Sequence, residues 1–114
     1  MDTSAERVAK NDATFRDANE RISATALAAE MDAPIPFLCE CADERCTEIV
    51  RLPLTEYERV RRDSTWFINA PGHDGSGGPH VRVVSQRDGY AIVEKVGRAA
   101  EVAAELDPRE GAPG

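Results

Sequence analysis

Cys39-Glu40-Cys41-Ala42-Asp43-Glu44-Arg45-Cys46 carries all three cysteines of the chain, and the reading of this stretch decides the fold. Zinc favours thiolate and imidazole ligands in a tetrahedron, with metal to sulfur distances of about 2.3 Å, so its ligands must converge from a chain that turns back on itself. Cys39 and Cys41 are one residue apart, which puts both side chains on the same face of an extended strand. Ala42 to Arg45 can form a turn that returns Cys46 to them. The spacing therefore predicts a knuckle that offers three thiolates to one structural Zn2+. The plain alternative is three buried thiols packing as small hydrophobes, and the Glu and Asp residues beside them are a poor setting for that.

A tetrahedral site needs a fourth ligand, and the chain has two histidines. His73 follows the Pro71-Gly72 turn signal, whereas His80 lies beyond the glycine-rich stretch 75–78. A tight turn aims a ligand better than a long loop does, which favours His73 over His80. Glu40, Asp43 and Glu44 are the carboxylate alternatives.

Outward from the knuckle, Ser4 to Met31 contains neither Gly nor Pro and predicts a helix. Val8, Phe15, Ile22 and Ala29 recur every seven residues, with Ala5, Ala18 and Ala26 between them, so they predict the contact stripe. That stripe can pack on the same subunit or pair with a second copy. Pro34 and Pro36 are expected to end the helix. Ile35–Cys39 and Glu48–Leu52 read as short strands, and Thr55 with Glu58 reads as a capping box opening a short helix that finishes near Asp63. Trp66 to Ala70 is a short apolar run. Residues 74–79 read as a flexible loop, and Asp88-Gly89 between Val81–Ser85 and Tyr90–Val96 predicts a tight hairpin. Residues 98–106 suggest a short helix.

The expected fold is α+β: a long N-terminal helix over residues 1–33, a zinc-knuckle domain with a small, mostly antiparallel sheet over 34–106, and a frayed tail over 107–114. Trp66, Phe67, Ile68, Val83, Ile92 and Val93 are core candidates, with Phe37, Leu52 and Val60. Only three Phe, two Tyr and one Trp supply large apolar area, so the core is thin and a metal would add needed stability.

Acidic residues outnumber basic ones 21 to 14, a net charge of −7, and there is no basic block, so nucleic-acid binding is not expected. Arg59, Arg61 and Arg62 are offset by Glu56, Glu58 and Asp63, which suggests a solvated helix face. No run is apolar enough for a membrane span and the N-terminus lacks a signal-peptide pattern, so a cytoplasmic setting is expected. Three clustered cysteines also differ from the dispersed, even count of a secreted disulfide framework.

The stretches Asn19-Glu20-Arg21-Ile22, Phe37-Leu38-Cys39-Glu40-Cys41, Leu54 to Arg61 and Pro71-Gly72-His73 resemble those of a group of short, uncharacterised proteins of high-GC, actinobacterial-type bacteria. The resemblance covers most of residues 11–96 and implies that Cys39, Cys41, Cys46 and His73 form one site. It brings no activity with it. The expected function is a non-enzymatic, zinc-stabilised interaction or regulatory module, whose N-terminal helix meets a protein partner or a second copy. A thiol redox switch acting through zinc release is the alternative, and a small zinc enzyme is a third reading. The chain lacks GxSxG, HExxH and a phosphate-cradling loop.

Overall fold

The computed structural model describes residues 4–41, 43, 45–73 and 79–109. Residues 74–78 of the expected flexible loop at 74–79 and the last five residues of the expected tail lie outside them. The order is helix α1 (Ser4–Ala28), strands β1 (Ile35–Leu38) and β2 (Ile49–Leu52), helix α2 (Leu54–Val60), strands β3 (Trp66–Asn69), β4 (Val81–Arg87) and β5 (Tyr90–Lys95), and helix α3 (Gly97–Glu105). The fold is α+β, as the sequence predicts.

The expected single sheet is divided. β1 and β2 form an antiparallel pair, and β3, β5 and β4 form a separate antiparallel sheet with β5 in the centre. The two are joined just past β1, where the Glu40 N–H donates to the Ile68 carbonyl at 2.8 Å. The three-stranded sheet is covered on both sides. Ile68, Tyr90 and Ile92 pack with Phe37, Val50, Leu52 and Tyr57, while Phe67 and Val93 pack with Ala103 of α3. A strand covered on both faces shows no polar alternation, which explains the near-continuous apolar run of β5. Phe37 and Tyr57 stack with ring centroids 4.2 Å apart. Of the expected core, Trp66 and Val83 are only half-buried.

The hairpin forms at Asp88-Gly89, with Arg87 opposite Tyr90. Gly89 supplies the left-handed φ of +88° that a side chain would resist. The register shifts between Val83 and Ser85, a bulge the sequence does not signal.

Four local expectations are corrected. α1 stops at Ala28, six residues before Pro34. Glu30 takes a φ of +52°, and the Met31 N–H reaches Ala26 O while the Glu30 N–H reaches Leu27 O, both at 3.0 Å. This is a Schellman closure that needs no proline. The capping box at Thr55 and Glu58 does not form. Pro53, two residues before Thr55, is the N-cap of α2 and has no side-chain bond there, because the proline ring offers no hydrogen-bonding side-chain atom. The Glu58 carboxylate instead accepts from Ser23 and Arg109. Arg61 is buried, not solvated, and pairs with Asp107 and Glu20. Asp107 and Arg109, in the stretch expected to fray, are thus held in ion pairs against α1 and α2.

The buried face of α1 also differs from the expected stripe. It consists of Ala5, Asp12, Asn19 and Ala26, of Ala9, Arg16 and Ser23, two interleaved seven-residue series on one seam, and of Ala13 beside them. Val8, Phe15 and Ile22 flank this seam half-buried, and Ala29 is exposed. The buried polar groups find partners on other elements. Arg16 donates to Ser64 O at 2.7 Å and to Ala103 O at 2.8 Å, with its guanidinium 4.7 Å from the Phe67 ring centre. Ala103 lies in the last turn of α3, where unpaired carbonyls and the helix dipole favour a cation.

Asp12 pairs with Lys95 of β5, both fully enclosed. Burial pushes the Asp12 carboxyl up to about 6 against the pull of Lys95. Removing one partner strands a buried charge, at a cost of about 3–5 kcal/mol. Asp12→Ala and Lys95→Met should each lower unfolding stability by that order in urea titrations. The double variant Asp12→Leu with Lys95→Met should recover most of the loss.

Candidate metal centre

The knuckle follows from local chain geometry. Past β1, Cys39 and Cys41 bring their sulfurs to one cluster while the Glu40 carboxylate goes to Asn19 and the Ile68 N–H, as the one-residue spacing predicts. The return is made by a turn in which the Cys46 N–H donates to Asp43 O at 3.0 Å. The Asp43 side chain accepts the Arg45 N–H at 2.9 Å, an Asx turn that tightens the bend. His73 arrives through a second turn: Ala70 O accepts the His73 N–H at 2.9 Å, and Gly72 has a φ of +84°. Proline followed by a left-handed glycine is the pattern of a type II turn. Asn69 fixes the far side of that turn by donating to His73 O at 2.8 Å.

These two turns bring the four expected residues together. One ligand atom from each of Cys39, Cys41, Cys46 and His73 lies within 4.8 Å of the others. His73 presents Nδ1, which is 3.7 Å from Cys39 Sγ and 3.5 Å from Cys46 Sγ. Bond lengths of about 2.3 Å to sulfur and 2.0–2.1 Å to nitrogen give a tetrahedron S to N edges of roughly 3.5 Å, so the spacing suits an ion at the centre. The Ala70 N–H points at Cys39 Sγ from 3.1 Å, a donor that helps disperse thiolate charge. Cys39 and Cys41 are buried, while Cys46 and His73 lie nearer the surface.

Burial pushes the Cys39 and Cys41 thiols up. Without a nearby cation both stay protonated at neutral pH and are weak nucleophiles. A bound metal ion would supply the charge that holds them as thiolates.

The other expected candidates are placed elsewhere. His80 stands at the start of β4, its Nε2 3.5 Å from Ser4 Oγ at the N-terminal end of α1. Glu40 is fully buried, its carboxylate accepting from Asn19 at 2.8 Å and from the Ile68 N–H at 3.0 Å and not joining the sulfur cluster. Its burial raises the carboxyl to about 7. Asp43 serves its own turn, and Glu44 lies outside the described residues. Sequence reasoning missed the supporting groups, Asn19, Asn69 and the Ala70 N–H. Asn19 lies in one of the stretches quoted above, but nothing local indicates that a helical asparagine braces a distant knuckle.

Fold and site together define a small α+β protein with a Cys3His cluster able to hold a metal ion. Compared with known proteins, the chain matches no family model, no curated protein and no solved structure, so the site is read on its own chemistry. No helix among the described residues is long and apolar enough to cross a membrane.

Cobalt(II) added to the reduced protein should give the intense visible bands of a tetrahedral ion and the charge-transfer absorption of thiolate ligands. Cys46→Ser and His73→Ala should weaken or shift both features, whereas His80→Ala should leave them unchanged. An effect of His80→Ala equal to that of His73→Ala would refute the ligand assignment.

Proposed function

We propose that the protein is a non-enzymatic module stabilised by one structural Zn2+ and used for interaction or regulation. The observation that carries this reading is the donor set. Three sulfurs and one imidazole nitrogen supply four ligands from within 4.8 Å of one another. Four protein ligands close a tetrahedral sphere and leave no position for water or substrate, the arrangement of structural zinc rather than catalytic zinc. Sulfur-rich sets favour zinc over magnesium, calcium or manganese, which prefer oxygen.

The thin core gives the ion its purpose. It would tie the end of β1, the Asp43–Cys46 turn and the turn after β3 into one unit, linking the two sheets at their joint. Structural zinc in small domains contributes about 10–16 kcal/mol of apparent binding free energy, which counts toward folding. The inner seam of α1 packs against the body of the same chain, so any partner or second copy meeting this helix would use its outer flank, where Leu27 is exposed, together with Met31 just beyond the helix end.

Protein purified without chelator should contain one zinc per chain by elemental analysis, and removing it should sharply lower the thermal midpoint. In the cobalt form, azide should leave the spectrum unchanged, because a closed site offers it no position. A clear azide shift would reveal an open coordination position and refute the non-enzymatic reading. Light scattering over a concentration series, with Leu27→Glu as the comparison, tests self-association. Deleting α1 is unsuited to that purpose because it strips the core.

A further inference from the structure

The polar seam of α1 reaches the knuckle through Asn19. Asn19 is fully buried. Its amide donates to Leu38 O at 2.9 Å and to Glu40 Oε2 at 2.8 Å, and its carbonyl accepts the Leu38 N–H at 2.8 Å. Leu38 and Glu40 are the neighbours of Cys39, so one side chain holds the backbone on one side of that ligand and the carboxylate of the residue on the other. Glu40 extends the connection to β3. Its Oε1 accepts the Ile68 N–H at 3.0 Å and its own N–H donates to Ile68 O at 2.8 Å. Two residues further on, the Ala70 N–H reaches Cys39 Sγ and the chain enters the turn that delivers His73.

Resting on the reading of Cys39, Cys41, Cys46 and His73 as a metal site, we propose that Asn19 is a positioning residue of that site, and that docking of the C-terminal half of α1 is coupled to metal occupancy. The physical basis is geometric. A tetrahedral ion demands sulfur positions accurate to a few tenths of an ångström, and Asn19 bonds both the Leu38 backbone next to Cys39 and the Glu40 carboxylate within the knuckle. Outer-shell partners of this kind typically change metal affinity about 10- to 100-fold. Coupling between two equilibria is reciprocal. By whatever factor the docked helix strengthens metal binding, the metal strengthens helix docking.

The coupling has a consequence for the surface. A cleft of about 380 Å3 lies between α1 and β1, with Ile22 and Ala26 on one wall and Ile35 and Pro36 on the other. Asn19 joins the same two elements one turn from Ile22. The shape of this apolar cleft therefore follows the metal, and the surface the module presents differs between its loaded and empty forms.

Two measurements test the coupling. In competition with a chromophoric chelator, Asn19→Ala should bind Zn2+ about 10- to 100-fold more weakly than the wild type. Asp12→Asn, a destabilising change two turns away on the same seam, should bind it with wild-type affinity. The second measurement needs no variant. In hydrogen exchange of the wild-type chain, zinc removal should cost the amides of residues 20–28 about 5- to 150-fold in protection, while those of residues 8–12 keep theirs. Unaltered affinity in Asn19→Ala, an equal loss in Asp12→Asn, or a uniform change of protection along α1 would overturn the coupling alone. A wild-type chain that binds no zinc would overturn the metal reading itself.

Discussion

Asp12, Arg16, Asn19 and Ser23 lie buried along one face of α1, and the helix can dock only where each of these polar groups meets a partner. Buried polar groups without hydrogen bonds cost roughly 1–3 kcal/mol each, and charged ones more. The rest of the molecule is arranged to supply the partners. Lys95 of β5 meets Asp12, the carbonyls of Ser64 and Ala103 receive Arg16, the backbone beside Cys39 receives Asn19, and Glu58 of α2 receives Ser23. Such a seam permits essentially one register of helix on body, because a slip of one turn would leave several of these groups unpaired at once.

This seam compensates for the small apolar content of the chain. Where α1 meets α3 the contact is Ala5 and Ala9 against Ala99 and Val102, small side chains that allow close approach but remove little apolar area. The larger side chains are concentrated around Phe37, Tyr57 and Ile68, on the side of the three-stranded sheet that carries the knuckle. The cysteines belong to that same cluster. A metal ion bound there would close the one region where two sheets, two turns and a helix side chain meet. The C-terminal stretch contributes a second set of ties, since Arg109 bridges Glu20 of α1 and Glu58 of α2.

The division into two sheets sets the position of the site. One continuous sheet would carry β1 straight into β3, with Cys39 and Cys41 locked in a ladder. Instead the pairing passes through the backbone bond from Glu40 to Ile68, and the chain then bends at Asp43 to bring Cys46 back. That release leaves the sulfurs at the rim of the core, where the Pro71-Gly72 turn can bring an imidazole to them.

The sequence by itself determined the α+β class, the knuckle with His73, the Asp88-Gly89 hairpin and most of the large core residues. In each case the signal is local: a one-residue spacing, a proline-glycine turn, or an apolar run short enough to be a strand. Only the tertiary structure decided which face of α1 is inside, that the sheet is split, that Arg61 is buried, and that Glu58 serves Arg109 and Ser23 in place of a helix cap. The physical reason is the same for the three that concern side chains. A polar side chain reads as exposed until its partner is known, and Lys95, Asp107, Arg109 and Leu38 lie far along the chain from the residues they satisfy, so no window of sequence holds both halves of the interaction.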